Sequence, residues 1–221
     1  MLWHSVNAID FFEQLMNHPQ YMRDWYYAVL SQVPLKEIQE SFDFVTNIAP
    51  FAQGKRVLEL FGGHGLVGFL LVQRGATSVH MMDRNDTHAH QRLELYFKEW
   101  TRCTFDQLNI PNELEYVHAR AKEVDLVVTM HACGGLTDIA LNVAALAGID
   151  AVCCPCCYDH HHVHGEPQTL ELESRMNHVD RTRQMRMDEQ GYSMKWLYLD
   201  PAITPMNHVL AFTKLYKELA S

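Results

Sequence analysis

The hydrophobic positions of the chain change period near residue 55. Before it, Ile9, Phe12, Leu15 and Met16 recur at helical spacing, and Pro19, Pro34 and Pro50 divide residues 8–48 into three short predicted helices. After it, short β-rich runs alternate with amphipathic stretches. The runs are Arg56–Leu60, Val79–Met82, Leu114–His118, Leu126–Met130 and Ile149–Cys154; helices are predicted over 65–74, 87–101 and 136–146, with a short connection at 120–124. Strands alternating with helical crossovers build a parallel sheet, because tight turns cannot join parallel neighbours. A further helix is expected over 168–189. Met194–Leu199 and His208–Tyr216 then follow too closely for a crossover, so they should pair antiparallel. The expectation is an α/β, doubly wound, mostly parallel seven-stranded sheet over 55–221, with a C-terminal antiparallel pair and an N-terminal helical cap over 1–54.

Composition narrows the setting of this fold. At 221 residues and 48% hydrophobic, the chain can bury one sizeable core. Its start, Met1-Leu2-Trp3-His4-Ser5, lacks a basic region followed by an apolar one, and the apolar stretch Leu66–Val72 is far short of a membrane span. A soluble, untargeted, cytoplasmic protein with no membrane partner is expected. Four of six cysteines fall between Cys153 and Cys157, too bunched for a disulfide framework, so a reducing compartment and no disulfide partner are expected. The formal charge of −9 disfavours non-specific polyanion binding. Arg175, Arg181, Arg183 and Arg186 share one predicted helix with interspersed acids and read as a solvated face.

The segment Val57-Leu58-Glu59-Leu60-Phe61-Gly62-Gly63-His64-Gly65-Leu66-Val67-Gly68 carries a candidate cofactor site. Gly63, Gly65 and Gly68 fit G-x-G-x-x-G, and Asp83 lies close to the distance at which a dinucleotide-binding unit places its ribose carboxylate. That pattern admits an NAD-dependent oxidoreductase. Glu59 argues against it, since a carboxylate at the end of the first strand repels a pyrophosphate. A cofactor with an ammonium and a sulfonium is instead attracted to such an acid. The segment resembles motif I of S-adenosylmethionine-dependent methyltransferases, acid-x-x-x-Gly-x-Gly, through Glu59, Gly63 and Gly65; it departs at Phe61, where glycine is commoner. The resemblance implies a Rossmann-like fold. It also implies S-adenosylmethionine held by Glu59, Phe61, Gly62, Gly63, Gly65, Asp83 and Arg84, with His131 as a further contact.

Two later strand ends sharpen that resemblance. The fourth run leads into His131-Ala132-Cys133-Gly134-Gly135-Leu136-Thr137-Asp138 and the fifth into Cys153-Cys154-Pro155-Cys156-Cys157-Tyr158. H-x-C-G-x-x-T-D followed by P-C-C-Y/H resembles a family of methyltransferase domains that includes the tRNA 2′-O-methyltransferases acting on the acceptor stem. The likeness spans roughly residues 55–215 and does not include the zinc-finger cysteines of the tRNA enzymes. It implies methyl transfer, with RNA slightly ahead of a protein or small molecule as acceptor. His131 is the candidate general base or methionine contact, because it can titrate near neutral pH. Tyr158 is the candidate for orienting the acceptor, and Asp138 for capping a helix or ordering the 131–137 loop.

The cysteines admit three readings. Cys153 and Cys154 suit strand packing. Cys156 or Cys157 could act as a nucleophile, with Cys133 and Cys156 mimicking the pair used by 5-methylpyrimidine methyltransferases. Cys156, Cys157, His160, His162 and His164 could together hold zinc. A non-catalytic sensor of S-adenosylmethionine or metal on the same scaffold is the alternative to an enzyme.

Overall fold

A computed structural model of the chain describes residues 19–97, 101–158 and 171–215. Two helices, α1 (Pro19–Leu30) and α2 (Leu35–Ala52), precede β1 (Arg56–Leu60), α3 (Leu66–Gln73), β2 (Ser78–Asp83), α4 (His88–Tyr96) and β3 (Cys103–Gln107). There follow α5 (Leu114–Ala121), β4 (Leu126–Met130), α6 (Gly135–Ala147), β5 (Asp150–Cys154), α7 (Leu172–Glu189), β6 (Tyr192–Tyr198) and β7 (His208–Lys214). The strands form one seven-stranded sheet in the order β3-β2-β1-β4-β5-β7-β6. β7 runs antiparallel to β5 and to β6, and the other neighbours pair in parallel.

The central strands are apolar on both faces because helices cover both. In β1, Val57 packs into one core with α2 and α3, while Leu58 and Leu60 pack into the other with α5 and α6. α2 belongs fully to the first core: Ile38, Phe42, Phe44, Val45 and Ile48 are buried with Val57, Val79 and Val128. Between β1 and β4 the strand order reverses, since the chain leaves β1 toward β2 and leaves β4 toward β5. A crevice opens at the carboxyl ends of the strands at such a divide.

Three local expectations are corrected. Leu114–His118 is not a strand but the start of helix α5, in which Leu114, Val117 and Ala121 fall at helical spacing and pack on the second core. The third strand is Cys103–Gln107, a short edge strand whose Thr104 and Asp106 alternate with Cys103 and Phe105. Its polar alternation hid it, because one edge is unpaired and only half its side chains are needed in the core. The helix predicted over 87–101 ends at Tyr96. Pro50 does not divide helices; it lies in the last turn of α2, which ends two residues later, so only one backbone hydrogen bond is forfeited. The helix expected before Pro19 lies outside the described residues.

Candidate active site

The near wall of the crevice is the loop after β1. Phe61 is left-handed at φ 60°, which explains why glycine suits this position, and Gly65 at φ 75° turns the chain into α3. A Cβ on Gly65 would lie 2.8 Å from His90 Nδ1 and 2.9 Å from Met81 Sδ, so the loop is pressed onto side chains of α4 and β2. Gly63, by contrast, faces open space. Asp83, at the end of β2, accepts the Gly63 N–H at 3.0 Å and the Asn85 N–H at 2.9 Å. Both oxygens keep lone pairs for a ligand diol.

Glu59 lies under this loop rather than on its surface. It is 1% exposed, and Cβ atoms placed on Gly62 or Gly68 would meet its carboxylate at 3.2 Å and 2.5 Å. The third glycine of the motif therefore makes room for the acid. Burial pushes the Glu59 carboxyl up to about 8, opposed by a backbone hydrogen bond from Gly68 and aided by the charge of Asp83.

The crevice itself encloses about 400 Å³, within the range of small-molecule sites. Phe61, Gly63, Asp83, Arg84, His131 and Cys133 line it together with Leu136 and the run Asn109-Ile110-Pro111 after β3. These residues fit a nucleoside with a cationic tail. Asp83 offers acceptors to ribose hydroxyls, Ile110 and Pro111 offer an apolar shelf to a base, and Gly63 leaves the backbone approachable.

His131 forms the far wall. It too is left-handed, at φ 58°, with its N–H bonded to the Cys154 carbonyl at 3.0 Å. Non-glycine residues in this region cost about 1–3 kcal/mol each and persist where surrounding structure enforces them, and here both stand at the strand ends flanking the divide. His131 Nε2 lies 3.1 Å from Glu40 Oε2, whose side chain is buried on α2. One turn earlier, Glu37 lies 3.0 Å from His64 Nε2, while His64 Nδ1 accepts the Leu66 N–H at 3.1 Å. One turn later, Asp43 accepts the Asp200 N–H at 2.6 Å. α2 thus carries an acid at every third position, and each acid ties down a different loop around the crevice.

The charges on this helix differ in character. The His64 hydrogen bond holds the Glu37 carboxyl below its ordinary value. At Glu40, burial raises the carboxyl, but bonds from His131 and Thr204 with the charges of His131 and Lys36 outweigh it, leaving a carboxylate. Burial raises the Asp43 carboxyl.

Tyr158 points away from the crevice. It is buried, and its hydroxyl donates to Asp180 Oδ2 at 2.7 Å, an oxygen also 2.8 Å from His208 Nδ1. Arg183, itself 1% exposed, donates to Asp180 at 2.9 Å, to Asp138 at 3.2 Å and to the Gly134 carbonyl at 3.2 Å. Asp138 therefore anchors its loop through Arg183, and Tyr158 latches the loop after β5 onto α7. Cys153 and Cys154 are buried in β5, where burial pushes both thiols up. Cys156 and Cys157 meet Cys133 across the two strand ends. A hydrogen bond to Cys133 and burial push the Cys156 thiol well up. His160, His162 and His164 lie outside the described residues.

Several site residues escaped the sequence reading. Glu37 and Glu40 sit among apolar core positions of α2, and only their three-residue spacing hinted at a common face. Asn109, Ile110 and Pro111 were passed over because β3 was placed after them rather than before. Arg183 and Asp180 looked like part of a solvated helix face.

A family model described as a methyltransferase domain matches residues 34–164. A glutathione S-transferase C-terminal domain-containing protein homolog of Drosophila pseudoobscura pseudoobscura is 26% identical over 226 residues, covering 83% of this chain and 37% of that protein. The chain thus spans less than two fifths of the length of this curated relative. Among solved structures, an O-methyltransferase family protein from Burkholderia thailandensis shares the fold at a TM-score of 0.56 and 16% identity, over 93% of this chain and 63% of that one. Magnesium protoporphyrin IX methyltransferase from Synechocystis, solved with bound S-adenosylmethionine, does so at 0.53 and 12%, over 97% of this chain and 100% of that one. The family match runs from the start of α2 past the end of β5, more than half of the chain, and the chain belongs to the methyltransferase-domain family.

Proposed function

We propose that this domain transfers a methyl group from S-adenosylmethionine to a hydroxyl or amine of an acceptor, with RNA placed first as the acceptor class. The observation that carries the reading is the crevice at the β1–β4 divide, with Asp83 and Gly63 on one wall and His131, backed by Glu40, on the other. S-adenosylmethionine, when bound, supplies an electrophilic methyl on a positively charged sulfur. Asp83 would hold the ribose, the Phe61–Gly65 backbone the amino-acid part, and Glu59 the positive charge from below. His131 would accept the acceptor's proton: with Nε2 turned to Glu40, Nδ1 is the atom left for that work, and the Glu40 carboxylate stabilises the imidazolium formed. Phe61 and Leu136 add apolar surface to the crevice lining.

RNA comes first because H-x-C-G-x-x-T-D and P-C-C-Y resemble the acceptor-stem tRNA methyltransferases. The test is transfer of labelled methyl into lysate fractions separated by nuclease and protease sensitivity. Label that turns nuclease-labile supports the RNA reading, and label that turns protease-labile moves the acceptor to protein. A His131→Ala chain that transfers methyl at the native rate would remove His131 as the base, and a native chain that binds S-adenosylmethionine but labels no lysate fraction would leave only a cofactor-binding scaffold. Binding of NADH with no affinity for S-adenosylmethionine would restore the oxidoreductase alternative.

A further inference from the structure

We infer that Cys133, Cys156 and Cys157 form a trithiolate site for a thiophilic divalent ion of the zinc class on the wall of the crevice. The three sulfurs close a triangle: Cys133 to Cys156 3.1 Å, Cys133 to Cys157 3.0 Å, Cys156 to Cys157 3.6 Å. They come from two separate segments, the loop after β4 and the loop after β5, so the convergence is tertiary rather than a consequence of sequence neighbours. A tetrahedral zinc with Zn–S bonds of about 2.3 Å needs sulfurs about 3.8 Å apart, so each edge opens by less than about 1 Å to seat it. A disulfide does not account for the geometry. It joins two sulfurs at about 2.0 Å and leaves the third outside, whereas here Cys133 stands almost equally close to both others. Thiol hydrogen bonds are weak and give no reason for three sulfurs to gather.

The surroundings are built to hold ligands in place. Arg183 grips the carbonyl of Gly134, next to Cys133, and Tyr158, next to Cys157, is fixed through Asp180. Three protein ligands leave a fourth coordination position, and Cys133 itself lines the crevice. The inference needs only this geometry and stands whether or not the domain transfers methyl groups.

Cobalt is the probe, added to the full chain after chelation and dialysis under a phosphine reductant. One Co²⁺ should bind per chain, with sulfur-to-cobalt charge-transfer absorption in the near ultraviolet and tetrahedral bands in the visible; Zn²⁺ should displace it. Cys133→Ser, Cys156→Ser and Cys157→Ser should each abolish stoichiometric binding, while a cooperative melt and a native far-ultraviolet circular dichroism spectrum report that the variants fold. In the native chain, Zn²⁺ should protect Cys133, Cys156 and Cys157 together from alkylation, read by peptide mass spectrometry, so the result does not depend on any variant folding. Alkylation of the three at the same rate with and without Zn²⁺ overturns the site. So does binding that survives Cys133→Ser but is lost in a His160→Ala, His162→Ala, His164→Ala chain, which would assign the ion to the histidine tract.

Discussion

At the scale of single residues, Glu59 links stability to cofactor binding. Its carboxyl ordinarily titrates at 4.5 and is raised to about 8 in the folded chain, so the fold favours the neutral acid. The stability this confers is complete below the ordinary value and is lost as pH rises from there through about 8. Glu59→Gln keeps the shape without the charge. The variant should melt like the native chain near pH 4 and more stably at pH 8.5, by an amount on the order of 2–4 kcal/mol. It should also bind S-adenosylmethionine more weakly, because the ionised acid is the form that attracts a cation. Native affinity should then tighten as pH rises toward 8, with proton release visible by calorimetry in two buffers of different ionisation enthalpy. Affinity unchanged between pH 6.5 and 8.5 would disconnect Glu59 from the cofactor.

At the scale of elements, α2 and α7 hold the crevice loops by different physics. α2 does so with single acids at three-residue spacing, each meeting one loop. Glu40→Gln should lower the rate of methyl transfer by about tenfold or more while leaving S-adenosylmethionine affinity near native, because it removes the partner that orients His131 and stabilises its charge. Equal losses in affinity and rate would instead mean that α2 only shapes the crevice. α7 does so with a buried network, in which Arg183 and Asp180 gather Tyr158, Asp138 and His208. Removing one member strands buried charge. Arg183→Met should destabilise the chain by about 3–5 kcal/mol in denaturant unfolding, and it should also loosen the Cys133 loop.

At the scale of the whole molecule, the N-terminal helices are part of the main core. Ile38, Phe42, Phe44, Val45 and Ile48 of α2 bury against the same face of the sheet as α3, so a chain begun at residue 55 would expose that face. It should be insoluble or lack a cooperative thermal transition. A soluble, cooperatively melting chain from residue 55 would instead make the helices a separable cap. Among the described residues, no helix is long and apolar enough to cross a membrane.

Much of this was written locally. Apolar runs covered on both faces announce β1, β2, β4 and β5 from their own side chains. The glycines after β1, Asp83 at the end of β2 and His131 after β4 follow from where such strands must end. Edge strand β3 was not legible, because an edge strand needs only half its side chains in the core and its period is easily lost between helices. Misplacing it concealed the Asn109-Ile110-Pro111 shelf. The tertiary structure alone decided which partners meet: Glu40 with His131, Arg183 with Gly134 and Asp138, and Cys133 with Cys156 and Cys157. Hydrophobic periodicity is a property of neighbours in the chain and can be read there. Polar pairing joins residues tens of positions apart, and only the packed sheet and its crossover helices bring them within reach.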